Sequence, residues 1–543
     1  MLKPLIERHF ISFYLLSLFL IGFGYISILP IFEGFDETAH FSRIREMAYQ
    51  ADFKYMSSMD QAILDYQGPL PYGTGFPPFD TGRVYSKFFL DKSSIEFYTE
   101  NYNYKNLDPY YRQSNLPNWQ YQHPPLYYSL IAPIFSMTQN LSLVNQFFLI
   151  RLFSYLMALV GIFVAIKSLL TSKLYGLNNQ QKKFFKLAAL TYPLIFPEFF
   201  FEFARIGNDS LCLLINGLLF YSLLKWQSDH FNIRKSILIG VILAIGILTK
   251  AFFIPISLGI VFFILIYFIF NGLLKSNFTS IIKVLFSIGI PILIIAGTWY
   301  LKRFLTIGDF GGGFEANELY KGLGLIAGLK KNFNFEGLVH GLLMTFPTFI
   351  WTGSWSVVRM PLLLFLPLLL TCLWIFINFL NGIKKLGLNN INWLIFWLFL
   401  FMYIGLLWHI IIMLALNGYG ASGGHYFHIL FPWIIPALSL GLLYIYKSKK
   451  QRIFMKPLII YSALFQIIAL WFHMTLFSGC ASKGEDKSFI FQGNLFCLDS
   501  STEVLNNLSI LNHSYLALIS FLLGFMLLGY LIVIELNKTL YAK

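Results

Sequence analysis

Residues 33–40 carry the densest group of ionisable side chains next to an apolar segment. Glu33, Asp36, Glu37 and His40 come directly after the first hydrophobic stretch of the chain. Ionisable groups at a membrane boundary are costly unless they are solvated, paired or used in chemistry. The group is therefore a candidate site. A solvated loop remains the alternative for the acids, and a hydrogen-bonded structural role remains the alternative for His40.

The composition is that of a membrane protein. Of 543 residues, 57% are hydrophobic and 12% are charged, whereas soluble proteins average about 25% charged residues. The net charge of +14 does not indicate nucleic-acid binding, because the basic residues recur in short loops between apolar runs. That distribution is typical of cytoplasmic loops. The sequence predicts an all-α polytopic membrane protein.

Hydrophobic lengths and basic loops predict about twelve transmembrane helices in a single domain, residues 1–543. The first span covers residues 10–32 and is not a cleaved signal peptide. Residues 33–143 form a large first outer loop with interfacial helices, and 144–535 hold the remaining spans. Residues 478–512 form the last outer loop. The even number of spans places both termini in the cytoplasm.

Three local features refine this topology. The short apolar stretch after the proline pair at 124–125 predicts an interfacial helix, and a second interfacial segment is expected at 338–355. The stretch 236–267 is too long for one span and predicts two helices that meet near Lys250. Cys480 and Cys497 share the last outer loop, where a disulfide is plausible.

Four further ionisable residues fall at the predicted outer face, at the ends of distant spans. They are Arg205, Asp209, Lys250 and His425. Three of them have a structural alternative. Asp209 could cap the fourth span, and Lys250 could extend towards the interface from a helix end. Arg205 could pair with Glu198 or Glu202 on its own helix.

Motifs along nearly the whole chain resemble the C-type membrane glycosyltransferase superfamily (GT-C), which includes protein O-mannosyltransferases and the lipid A aminoarabinose transferase. The pair Asp36-Glu37 follows the first span, residues 123–128 close the long loop, and Asn208-Asp209 supplies a second acid. The later landmarks are Leu248-Thr249-Lys250, Trp299-Tyr300 through Gly308-Asp309, Trp351 through Trp355, and Gly424-His425-Tyr426 with Pro432.

The resemblance implies inverting transfer of one sugar from a polyprenyl-phosphate carrier to a lipid, glycan or protein acceptor at the outer face of the cytoplasmic (inner) membrane. Asp36 corresponds to the general base, and Asp209 to the acid after the third span. From its position next to Asp36, Glu37 would orient that carboxyl or share a cation with it. In some members the first acid binds a divalent metal, so Asp36 and Glu37 are the candidate ligands for Mg²⁺ or Mn²⁺. Membrane lipids are the expected partners, and nucleic acid is not.

A leaving phosphate needs neighbouring positive charge, and the acceptor hydroxyl needs a carboxylate that takes its proton. An acid group facing basic side chains in one cavity would meet both demands. The candidate substrate-binding residues are His40, His123, Tyr127, Arg205, Lys250, Arg303 and His425.

Two other function classes remain open. A transporter or flippase of lipid-linked sugars would place ionisable groups near the bilayer midplane, in two matching halves. An O-antigen polymerase or ligase-like enzyme would be expected to carry its essential groups in a large late outer loop. Neither pattern is evident in this sequence.

Overall fold

The computed structural model describes residues 9–50, 56–72, 78, 82–171, 179–228, 232–270, 278–308, 314–358, 360–385, 391–420, 423–448, 453–482 and 497–540. These residues are mostly helical, with two short strands. The elements are α1 (Phe10–Ile28), α2 (Glu37–Tyr49), β1 (Ser58–Asp60), α3 (Gln61–Leu64), α4 (Tyr85–Phe88), α5 (Lys92–Tyr98), β2 (Gln113–Pro117), α6 (Leu126–Thr138), α7 (Leu143–Thr171), α8 (Asn179–Ile195), α9 (Glu198–Phe203), α10 (Asp209–Ser228), α11 (Ile233–Ile247), α12 (Phe253–Phe270), α13 (Phe278–Pro291), α14 (Thr298–Ile307), α15 (Phe314–Lys321), α16 (Leu325–Asn332), α17 (Phe335–Ile350), α18 (Leu362–Ile383), α19 (Ile391–Asn417), α20 (Phe431–Lys447), α21 (Met455–Phe477), α22 (Ser501–Leu511) and α23 (Ser514–Leu540).

The protein is an all-α polytopic membrane protein, as predicted. Within the described ranges, nine helices are long and apolar enough to cross a bilayer. The predicted count of about twelve is not confirmed. The three additional predicted spans correspond to α8, α10 and α11, which are short or carry polar residues. α8 has 17 residues and includes three lysines, and α11 has only 15 residues.

Several local predictions agree with the structure. Residues 236–267 divide into α11 and α12, which meet at Lys250. Helices also occupy the two stretches predicted to be interfacial, as α6 and α17, and both are too short to be candidate spans. Cys480 and Cys497 form a disulfide with a Cα–Cα distance of 6.1 Å. The basic residues Lys449, Lys450 and Arg452 and the acid Asp309 lie outside the described residues.

Glycines allow the central helices to approach each other closely. α1 packs against α7 and α23, and α7 packs against α10. A Cβ atom placed on Gly161 would lie 2.6 Å from the carbonyl oxygen of Leu213, and one on Gly217 would lie 2.4 Å from that of Gly161. Small residues at such contacts are typical of helix packing in membranes. In hydrocarbon no hydrophobic effect drives helices together, so their association depends on close van der Waals packing. This close contact fixes α10, whose first residue is Asp209.

The first polar segment contains a two-stranded antiparallel sheet that the sequence analysis did not predict. β1 pairs with β2, with Asp60 opposite Gln113. Arg45 on α2 donates from Nε to the Asp60 carboxylate at 2.5 Å and from Nη2 to the carbonyl oxygen of Asp108 at 2.6 Å. The same helix packs against α6. The loop is thus attached to α2, the helix that begins directly after Asp36.

Candidate functional site

Asp36 lies at the N-terminus of α2 in a left-handed backbone conformation, with φ 55° and ψ 16°. Non-glycine residues rarely adopt this region, although Asp tolerates it better than most. Such a conformation costs about 1–3 kcal/mol and persists only where the surroundings enforce it. The strained residue is the acid that the sequence analysis selected as the general base.

The two residues beside Asp36 are each held by an arginine. Arg151 on α7 donates to both carboxylate oxygens of Glu37, at 2.8 and 2.5 Å, and both side chains are fully buried. The backbone N–H of Ile206 also donates to Glu37, at 2.9 Å. On the other side, Nη1 of Arg205 donates to the carbonyl oxygen of Phe35 at 2.9 Å. The backbone around Asp36 is therefore fixed from two directions.

The Asp36 carboxyl itself is half-buried and makes one hydrogen bond within the described residues. The indole Nε1 of Trp119 donates to Oδ1 at 2.8 Å. Burial raises the pKa of Asp36, while the hydrogen bond from Trp119 and the charges of Arg205 and Lys250 lower it in part. Cations are thus within electrostatic reach of the carboxyl, and Oδ2 is left available for another partner.

Asp209 connects the two cations that face Asp36. Nζ of Lys250 donates to both of its carboxylate oxygens, at 2.7 and 3.0 Å, and Nη2 of Arg205 donates to Oδ2 at 2.9 Å. Arg205 also binds Glu202 at 2.7 Å. The predicted alternative in which Arg205 pairs with Glu202 is thus observed in addition to the contact with Asp209. Lys250 is 5% exposed, so it does not extend to the surface.

Burial raises the pKa of the Glu202 carboxyl, against the opposing charge of Arg205. Two carboxylates that share one guanidinium in a buried site cannot both be stabilised equally as anions. Glu202 Oε2 has no hydrogen-bond partner within the described part of the chain. This side chain is therefore the most readily protonated of the carboxyls around Arg205.

His40 and His123 stack on each other, with ring centroids 6.1 Å apart and planes inclined by 8°. His40 Nδ1 also hydrogen bonds with the Tyr128 hydroxyl at 2.9 Å. Burial, reinforced by the charge of Lys250, lowers the pKa of His123 to about 3. Burial likewise lowers the pKa of His40. Both imidazoles are therefore neutral near pH 7, and neither adds a positive charge to the site.

Tyr127 and Arg303 are buried at the edge of the same group. The Tyr127 hydroxyl hydrogen bonds with Ser154 at 2.8 Å. Nη1 of Arg303 donates to the carbonyl oxygen of Tyr121 at 3.1 Å, and the guanidinium lies over the Tyr121 ring, 5.1 Å from its centroid. The Arg303 charge contributes to the lowered pKa of His123, so this cation lies within electrostatic reach of His123.

His425 stacks on Phe35, with ring centroids 4.6 Å apart and planes inclined by 4°. Its side chain is buried, and neither ring nitrogen has a hydrogen-bond partner within the described residues. The ring therefore contacts the residue that directly precedes Asp36. The structure brings His425 to the site although nearly 400 residues separate the two in sequence.

Several buried polar atoms around these residues share a lack of protein partners, within the part of the chain that is described. Buried polar groups are nearly always hydrogen bonded, so such a group calls for an explanation, for example an unseen ligand or water. The atoms are Thr38 Oγ1, Gln120 Oε1, Gln122 Oε1, Glu202 Oε2, Asn208 Oδ1, His425 Nδ1 and His425 Nε2.

The residues present do not fit the divalent metal site that Asp36 and Glu37 were expected to form. Both oxygens of Glu37 are engaged by Arg151, and Oε2 also accepts a hydrogen bond from the N–H of Gly34. Within the described residues, no three His, Cys, Asp or Glu side chains form a group able to hold a metal ion. Mg²⁺ and Mn²⁺ prefer several oxygen ligands.

Two residues of the site were missed by the sequence analysis. Arg151 could have been noticed, because an arginine within a long apolar run is costly and marks a partner inside the protein. Its pairing with Glu37 spans 114 residues and has no local signal. Trp119 was one aromatic residue among many in the first polar segment, and its contact with Asp36 depends on the folded loop.

No family model and no curated protein matches the chain. Among solved structures, ArnT from Cupriavidus metallidurans bound to undecaprenyl phosphate is 12% identical, with a TM-score of 0.43, and the match covers 96% of this chain and 77% of that one. The chain is similar to it along most of its length. The apo state of the same protein is 13% identical, with a TM-score of 0.38, and covers 87% of this chain and 75% of that one.

Proposed function

We propose that this protein is a glycosyltransferase that moves a sugar from a polyprenyl-phosphate carrier to a lipid, glycan or protein acceptor, with inversion at the anomeric carbon. The reaction takes place at the outer face of the cytoplasmic membrane. The whole chain acts as one transmembrane domain, and both termini face the cytoplasm.

One observation carries the proposal: a strained carboxyl, with one oxygen that has no hydrogen-bond partner among the described residues, lies within electrostatic reach of two buried cations. Asp36 is fixed at Oδ1 by Trp119, and its pKa responds to the charges of Arg205 and Lys250. In the proposed reaction, the hydroxyl oxygen of the acceptor attacks the anomeric carbon. Oδ2 of Asp36 accepts the proton of that hydroxyl as the attack occurs. The bond from this carbon to the carrier phosphate breaks at the same time, and the phosphate leaves with the bonding electrons.

The cations stabilise the charge that develops on the leaving phosphate. Lys250 and Arg205 both bind Asp209, so Asp209 fixes the position of the two cations. Arg303 adds a further positive charge close to His123. The polar atoms of Glu202, Asn208 and His425 that lack a partner among the described residues are assigned to contacts with sugar hydroxyls, which both donate and accept hydrogen bonds.

The test is mass spectrometry of envelope lipids and glycans from cells with and without this protein. The proposal expects one sugar to disappear from a defined lipid, glycan or protein and to return when the gene is supplied again. Accumulation of a polyprenyl-phosphate sugar should accompany the loss. An unchanged set of envelope sugars, with the protein verified in the membrane of the control cells, would contradict the proposal.

A further inference from the structure

A strained turn lies beside the segment that holds Asp36. Residues 351–358 follow α17, and three of them have positive φ: Gly353 at 76°, Ser354 at 66° and Val357 at 51°. For a β-branched residue such as Val357 this conformation is a clear outlier. Each strained non-glycine residue costs about 1–3 kcal/mol. The surrounding contacts must therefore hold the turn in this shape.

The first contact comes from Glu198 at the start of α9. Its Oε2 accepts hydrogen bonds from the successive backbone N–H groups of Thr352, at 2.7 Å, and Gly353, at 3.0 Å. Successive N–H groups in such a turn form a concave anion-binding arrangement, and here a buried carboxyl of the protein itself fills it. Glu198 thereby fixes the beginning of the turn.

The second contact comes from Glu33. Its Oε1 accepts from the Ser354 hydroxyl at 2.5 Å and from the N–H of Ser356 at 2.9 Å, and the Tyr85 hydroxyl donates to Oε2. Its backbone carbonyl accepts from the N–H of Trp355 at 3.1 Å. Glu33 is fully buried. Three of these four hydrogen bonds therefore attach the turn to the segment before Asp36.

The turn is also connected to the Asp36 carboxyl, through two tryptophan rings. The Trp355 ring packs against that of Trp119, with centroids 6.4 Å apart, and Trp119 donates to Asp36 Oδ1. Resting on the function proposed above, we propose that Glu33 and Glu198 are positioning residues. By holding the turn in its strained shape they fix Trp355 against Trp119. The indole of Trp119 then orients the Asp36 carboxyl.

The proposed role of Glu33 and Glu198 affects the orientation of Asp36 but not the cations that bind the donor. Glu33 and Glu198 take part in none of the ion pairs described for this chain, whereas Arg205 and Lys250 do. Loss of either acid should therefore leave the cations in place. A misplaced base lowers turnover steeply, since displacement of a catalytic group by about 1 Å can cost about 100-fold in rate.

The experiment compares Glu33→Ala, Glu33→Gln, Glu198→Ala and Glu198→Gln with the parent, using purified full-length protein. The matched control is Glu318→Ala, which removes an exposed carboxylate from α15. Binding is measured with undecaprenyl phosphate, and folding by thermal unfolding. Transfer is measured as the rate at which each protein restores the missing sugar to envelope fragments from cells that lack the protein, with increasing amounts of lipid extract from the same cells added as the source of donor.

The alanine variants should lose about 10-fold or more in maximal rate, while the lipid amount at half-maximal rate and the binding of undecaprenyl phosphate stay within about twofold of the parent. The glutamine variants should recover most of the rate, because the amide oxygen can accept the same hydrogen bonds. Alanine variants at the parent rate would overturn the positioning role alone. Joint loss of rate, lipid binding and thermal stability would reduce the role to folding and overturn it too. A parent that transfers no sugar would overturn the proposed function together with this inference.

Discussion

The indole Nε1 of Trp119 donates a 2.8 Å hydrogen bond to Oδ1 of Asp36, across 83 residues of sequence. This contact favours the ionised carboxylate and lowers its pKa, against the effect of burial. It also leaves Oδ2 as the oxygen that can accept a proton. The tryptophan therefore influences both the orientation and the proton affinity of the proposed base.

Replacing Trp119 with phenylalanine should move the pH dependence of transfer. The variant retains an aromatic ring but loses the N–H donor, so the pKa of Asp36 should rise. A general base works only when deprotonated, and activity is lost as pH falls through its pKa. The acidic limb of the pH–rate profile should therefore shift to higher pH. Trp226→Phe is the matched control, because it removes a buried indole donor that bonds to Ser236 near the opposite end of α10 from Asp209. A parallel shift in both variants would contradict the assignment.

Breaking the buried pair between Arg151 and Glu37 should strongly destabilise the protein. Removal of one partner leaves an unpaired buried charge, which costs about 3–5 kcal/mol. Thermal unfolding in detergent should show a large loss for Arg151→Ala. The control is Asp65→Ala, which breaks the exposed pair with Arg112, where both side chains are more than half exposed. Exposed pairs contribute about 0–1 kcal/mol, so equal losses in the two variants would refute the structural role of Arg151.

Lys250 should contribute to binding of the carrier phosphate. Its ammonium lies between Asp209 and the ring of Tyr426, 4.5 Å from the ring centroid. Lys250→Met should weaken binding of undecaprenyl phosphate by about 10-fold or more, as hydrogen bonds to charged groups contribute about 1.5–3 kcal/mol. Lys302→Met, which alters an exposed lysine on α14, should bind like the parent. Unchanged affinity in the Lys250 variant would remove this residue from the donor site.

Features encoded within a few residues were predictable from the sequence. The break at Lys250 follows from an apolar run too long for one span, and the helix after the proline pair follows from local chemistry. The number of spans was less accessible, because α8, α10 and α11 are apolar enough to be counted as spans from the sequence but are short or carry polar residues in the structure. Their place in the fold depends on packing, such as the glycine contacts between α7 and α10.

The site was predictable as a set of residues but not as a set of contacts. Asp36, Arg205, Asp209 and Lys250 were all selected from the sequence, because charged groups next to apolar spans are costly. That Asp209 would join the two cations depends on the approach of α10 to the junction of α11 and α12. Arg151 donates to both carboxylate oxygens of Glu37, a contact that the sequence did not indicate. The expectation that Glu37 assists Asp36 stays a prediction.

The most direct measurement is sugar transfer by the Asp36→Asn variant, in parallel with Asp65→Asn as a control at an exposed aspartate. The asparagine is nearly the same size and can still accept the hydrogen bond from Trp119, but it cannot take a proton from the acceptor. The variant should insert and fold like the parent while transfer falls by about 100 to 10,000-fold. Transfer at the parent rate by a correctly inserted Asp36→Asn protein would contradict the role of Asp36 as the base.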